Sequence, residues 1–121
     1  MHTIKLVVDG IEKSILPKVY RLNCHGESLK SAIIEYHEDL ELEYSKGERL
    51  TLEIATSKPK GFSEKDYCGK AFLFSIKEKE KDKSTVYLFS VGGFIIRLET
   101  TQKMEGLQVA EEYYFCLKKE A

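Results

Sequence analysis

The chain has 121 residues, enough for one domain with its own hydrophobic core and too few for two. Charged residues make up 32% of it, against about 25% in an average protein, but 19 basic and 20 acidic residues nearly cancel to a net charge of −1. That balance argues against a protein living on phosphate contacts, which carries a basic excess or a basic stripe.

From the N-terminus, Ile4, Leu6 and Val8 alternate with Thr3, Lys5 and Val7 as far as Asp9-Gly10, a turn signal. This predicts a first strand, which Ile11–Leu16 can continue past a bend before Pro17. Lys18–Cys24 alternates again, with Tyr20, Leu22 and Cys24 on one side, and His25-Gly26 closes the second strand. Ser28–Tyr36 fits a helix through Leu29, Ala32, Ile33 and Tyr36, and a strand through Ala32, Ile34 and Tyr36. Periodicity leaves both open.

Leu40, Leu42 and Tyr44 alternate with Asp39, Glu41 and Glu43, and Leu50, Leu52 and Ile54 with Thr51, Glu53 and Ala55. The pattern predicts a hairpin with one wet face, whose carboxylates diverge along the strands instead of converging on a metal ion. Thr56–Lys65, with Ser57, Lys58, Pro59, Lys60 and Gly61, reads as a loop. Tyr67–Ile76 reads as a strand with Phe72, Phe74 and Ile76 alternating against Ala71, Leu73 and Ser75, the two phenylalanines toward the core. Gly69 within it suggests a bulge or a sharp bend. Lys77–Lys83 alternates in sign and reads as a solvated hairpin tip.

Val86–Glu99 organises the chain. Two runs rich in aromatic and β-branched residues flank Gly92 and Gly93, and two central residues with positive φ are what a tight hairpin turn requires. The register then sets Val91 opposite Phe94, Phe89 opposite Ile96 and Tyr87 opposite Leu98, all on a core face. The other face carries Val86, Leu88, Ser90, Ile95, Arg97 and Glu99, too apolar to be seen by water alone. Either the chain's own sheet or another protein covers it, which makes Val86, Leu88, Ile95 and Arg97 the candidate partner interface. Arg97 suits an ion pair with Glu99 or a neighbour, or an interface contact. Thr100–Ala110 is a polar connector with room for a helical turn, and Tyr113–Leu117 is the last strand before the charged Lys118-Lys119-Glu120. The count predicts an all-β, antiparallel barrel or sandwich of about seven to eight strands.

The residues hold no recognisable chemistry. His2, His25 and His37 are scattered, and the Gly-Gly pair joins two strands and so is no phosphate-binding loop. Cys24, Cys68 and Cys116 lack zinc or disulfide-framework spacing and read as small buried residues in a reducing cytosol. Without a secretory leader or an apolar run of about 18 residues, the chain is expected to be soluble and cytoplasmic. Neither a catalytic residue, a metal nor a cofactor is expected.

Phe89–Glu99, read Phe-Ser-Val-Gly-Gly-Phe-Ile-Ile-Arg-Leu-Glu, resembles the signature hairpin of the small subunit shared by eukaryotic RNA polymerases I, II and III, whose archaeal relative is the G subunit of DNA-directed RNA polymerase. Asp66–Phe72 is similar to that family's Asp-Tyr-x-x-Gly-x-Ala-Tyr strand, shortened by one residue before the glycine, Leu40–Ser57 to its strand pair ending Ile-Ala-Ser-Ser, and Val19–Leu22 to its Val-Cys-Arg-Ile. The eukaryotic subunits carry a long insertion where this chain has only Ser57–Lys65, so the archaeal form is the better match. The resemblance implies an OB-like closed antiparallel β-barrel and places Ser28–Tyr36 on a strand. It also implies a non-catalytic component of DNA-directed RNA polymerase, seated on the largest subunit near its pore and funnel and away from the catalytic magnesium. The competing reading is a free OB-fold protein binding single-stranded nucleic acid, for which the basic groove is missing and the aromatics point inward, leaving nucleic-acid contact at most weak and indirect.

Overall fold

Eight stretches of alternating apolar and polar residues pair into one closed barrel. The computed structural model describes every residue except Pro59, Phe62, Glu64 and Ala121. The strands are β1 (His2–Lys13), β2 (Val19–Gly26), β3 (Leu29–His37), β4 (Arg49–Ala55), β5 (Tyr67–Lys79), β6 (Ser84–Val91), β7 (Phe94–Thr100) and β8 (Glu112–Lys119). They close in the order β1-β2-β3-β7-β6-β5-β8-β4 with antiparallel neighbours throughout, consistent with an OB-like barrel. Inward side chains fill it, among them Leu6, Leu22, Ile34, Leu52, Leu73, Phe89, Ile96 and Phe115, each almost completely buried.

The β6–β7 hairpin has the expected register. Gly92 and Gly93 take φ of 58° and 93°, and Val91 pairs with Phe94, Phe89 with Ile96 and Tyr87 with Leu98. Five of those six side chains are buried, and Phe94, at the turn, is half-buried beside His37. Leu29–His37 is the strand that the resemblance implied. The Asp9-Gly10 turn signal corresponds to a bulge, a register shift between Val8 and Gly10 inside a β1 that runs on to Lys13. Lys77–Lys83 reaches from β5 through a turn into β6, as its charge pattern predicts. Pro59, Phe62 and Glu64 of the expected Thr56–Lys65 loop lie outside the described residues.

Leu40–Tyr44 does not form the first strand of a hairpin. Glu38–Leu40 is a single 3₁₀ turn, and Glu41 follows in the left-handed region at φ 53°, breaking the alternation. Both edges of β4 are already taken, by β1 and β8, so the segment has no ladder to join. It crosses the barrel end instead. Leu40 is exposed, while Tyr44 is buried and meets Tyr36 edge-on at 5.4 Å.

Phe72 and Phe74 are not in the core. Ala71 and Leu73 are buried, and the two phenylalanines stand outside the barrel at 42% and 40% exposure. A register shift between Leu73 and Ser75 then turns Ile76 inward against the core. With apolar residues on both faces of the strand, alternation could not say which set was inside. The bulge sits at this shift and not at Gly69. Gly69 is small because a Cβ there would stand 3.0 Å from Val91 Cγ1.

The 48-residue separation hid a bond between cysteines. Cys68 pairs directly with Cys116 across β5 and β8, and the two are joined as a disulfide, against the expectation of free thiols. Cys24 is free and buried, its thiol pushed up to about 12 by burial and secondarily by the Asp9 charge.

Tyrosines close both ends. Near the β6–β7 turn, Tyr20 stacks on Tyr36, and the Tyr67 hydroxyl donates to the Glu35 carbonyl at 3.0 Å. At the other end Tyr87 and Tyr113 hydroxyls accept the Met104 and Gln108 N–H groups, both at 2.8 Å, so the 101–111 connector lies across the opening.

Candidate partner interface

The outer surface of β3, β7 and β6 is built from the residues that alternate with the core. Leu88 pairs with Arg97 and Arg97 with Ile33, while Ser90 pairs with Ile95, so these side chains share the outer side. Arg21, Ile33, Glu35, Leu88, Ile95 and Arg97 line a shallow concavity of about 290 Å³. Leu88, Ile95 and Arg97 are half-buried, and Val86 is only 5% exposed, so Val86 adds little free surface. Phe72 pairs with Ser90 and carries the apolar surface onto β5. Phe72, Phe74 and Ile33 were not among the interface candidates. The two-sided apolar character of β5 is the signal that could find the two phenylalanines, and the β3–β7 register, which sets Ile33 opposite Arg97, the one for Ile33.

The charges here are satisfied in place. Arg97 Nη2 lies 3.1 Å from Glu99 Oε1, Arg97 Nη1 donates to Ser31 Oγ at 3.4 Å, and Lys79 Nζ is 3.5 Å from Glu99 Oε1. Ser84 Oγ donates to Glu99 Oε2 at 2.8 Å. That hydroxyl is the largest influence holding the Glu99 carboxyl below its ordinary range; burial opposes it, and Arg97 and Lys79 reinforce it. Glu35 fills a gap in the sheet. Beyond the Ile34–Ile96 pair β3 and β7 stop bonding, and Glu35 Oε1 accepts the Ile95 N–H at 2.7 Å while Arg21 Nε stands 3.7 Å from Oε2.

Such a surface can bury apolar area against another protein without stranding a charge. The histidines lie elsewhere, His25 Nδ1 being 2.6 Å from Asp9 Oδ1 and His37 Nδ1 accepting the Asp39 N–H. Among the described residues no group of three or more His, Cys, Asp or Glu could hold a metal ion, and no helix is long and apolar enough to cross a membrane.

A family model for the G subunit of DNA-directed RNA polymerase matches residues 1–120. The DNA-directed RNA polymerase subunit Rpo8 of Sulfolobus acidocaldarius is 30% identical over 120 residues, covering 94% of each chain. A solved structure of the cytoplasmic molybdate-binding protein ModG, with molybdate bound, aligns over 97% of this chain and 89% of that one at 11% identity and a TM-score of 0.40, too loose a likeness to assign a fold or a ligand.

Proposed function

The chain belongs to the family of the DNA-directed RNA polymerase G subunit, and from that membership we propose that it is a non-catalytic small subunit of an archaeal polymerase, bracing the largest subunit near its pore and funnel. The observation that carries this reading is the half-exposed outer face around Leu88 and Ile95, whose charges are already paired among themselves. Val86, Leu88, Ile95 and Arg97 are the proposed contact residues, with Phe72 beside them. The chain contributes contact area and no chemistry of its own, and it works in the cytoplasm with the rest of the polymerase.

A stable subunit contact buries about 800 Å² per partner, more than this concavity supplies, so neighbouring loops must add to it. The exposed Phe72 and Phe74 also give the nucleic-acid reading two stacking faces that it lacked. It still lacks the cations, since the nearby Lys70 lies 3.9 Å from Glu112.

The test is to tag the chain in its own cell and purify it at moderately high salt. Near-stoichiometric recovery of the large polymerase subunits is the expected result. Recovery of the chain alone, or with nucleic acid that leaves as salt rises, would overturn the reading.

A further inference from the structure

Among the described residues, the turn joining β1 to β2 carries the most exposed large apolar side chain. Ile15 is 96% exposed and Leu16 55%, at a position where the fold would accept polar residues. The turn is nonetheless held in one shape. The Leu16 N–H donates to Ser14 Oγ at 3.2 Å, the Ser14 N–H to the Val19 carbonyl at 2.9 Å and the Val19 N–H to the Leu16 carbonyl at 3.3 Å. The Lys18 carbonyl accepts the Glu38 N–H at 2.8 Å.

Pro17 and Lys18 are the central residues of that last bonded turn, and Lys18 has φ 63°. The order is that of a type II turn, whose second central position favours glycine or asparagine. Lysine thus occupies a left-handed position that favours glycine. Lys13 and Lys18 flank the apolar pair, and neither has an ion-pair partner among the described residues. Glu38 is the one carboxylate lining the 300 Å³ recess beneath the tip. The outer face is the opposite case, its charges being mutually paired.

We propose that the β1–β2 tip is a second anchor of the subunit: Ile15 and Leu16 seat in an apolar socket of the polymerase whose rim carries carboxylates facing Lys13 and Lys18. This rests on the subunit reading above. The preformed turn spares the interface the ordering of a loop on binding. The same strand, β2, leads from the tip to the outer face, where Arg21, three residues beyond Lys18, lines the concavity. A nucleic-acid strand would call for free stacking aromatics, whereas Tyr20 of the recess is already stacked on Tyr36, and stable membrane anchoring would call for a second signal.

The test compares tagged wild type, Ile15→Ser, the Ile15→Ser/Leu16→Ser double variant and Lys18→Gly for thermal midpoint and for polymerase recovered per tagged chain. Ile15→Ser and the double variant should keep the wild-type midpoint and recover at least fivefold less polymerase. Lys18→Gly should keep or raise the midpoint while losing polymerase at moderate salt. Recovery equal to wild type by both apolar variants would overturn the anchor and leave the subunit reading intact, and equal recovery by Lys18→Gly would overturn the acidic rim. If wild type recovers no polymerase, the subunit reading fails and the anchor with it. Tip-dependent binding to phosphatidylserine vesicles in place of polymerase would also overturn the socket.

Discussion

At the scale of single residues, Glu99 shows how the outer face keeps a nearly buried charge. Ser84, Arg97 and Lys79 converge on one carboxylate and hold its pKa below that of the unfolded chain. The resulting stabilisation is complete above the unfolded value of about 4.3 and is lost as pH falls through the folded value. Glu99→Gln should therefore destabilise the protein by about 1.5–3 kcal/mol at pH 7, the scale of a hydrogen bond to a charged group. Urea titrations at pH 7 and pH 3 check this. The wild-type advantage should shrink at the lower pH, and an advantage equal at both would contradict the linkage. The Arg97–Glu99 pair was legible because residues two apart on a strand share a face. The contribution of Ser84 was not, since it depends on the pairing of β6 with β7.

Elements were legible where a turn fixed the register. The β6–β7 hairpin is apolar on both faces, but its glycine pair pins the register and gathers its aromatic residues on one side, so its core face follows from local sequence. β5 has bulky residues on both faces, and its inward set is chosen by distant contacts. The Leu73 carbonyl accepts the Ala110 N–H at 2.8 Å, the Glu111 carbonyl accepts the Leu73 N–H at 3.0 Å, and the shift follows after Leu73. Leu40–Tyr44 alternates equally well but meets no free edge, and alternation says nothing about a missing partner. The candidate site follows the same division. Leu88 and Ile95 were readable as the back of a clear hairpin, whereas Ile33 and Phe72 joined them only through cross-strand register. Leu88→Asp with Ile95→Asp should leave the circular dichroism and denaturation midpoint of the isolated chain close to wild type, because both side chains are outside the barrel. The same change should weaken incorporation into polymerase at least tenfold, a loss of about 1.4 kcal/mol or more. Unfolding of the isolated variant would contradict the outward placement, and unimpaired incorporation the contact.

For the whole molecule, closure decides what no segment could. It uses both edges of β4, stations tyrosines at the two ends and sets Cys68 opposite Cys116. A bond closing a loop of sequence separation 48 removes unfolded-state entropy worth about 4 kcal/mol in the chain-entropy model. Denaturant unfolding with and without a thiol reductant should thus show a loss of about 2–4 kcal/mol on reduction. Cys116→Ser should match the reduced protein and be indifferent to reductant. Wild-type stability that does not respond although two thiols beyond that of Cys24 appear on reduction would contradict a bond that stabilises by constraining the unfolded chain.

In the proposed assembly this barrel grips the polymerase through the outer face of its β6–β7 hairpin. The most direct measurement places a photo-crosslinking amino acid at position 88 in the tagged chain, irradiates the assembled polymerase and identifies the adduct by mass spectrometry. An adduct to the largest subunit is the expected result, with a probe at the inward position 89 giving none. Adducts only to other subunits or to nucleic acid, or no adduct from position 88 in an intact assembly, would contradict it.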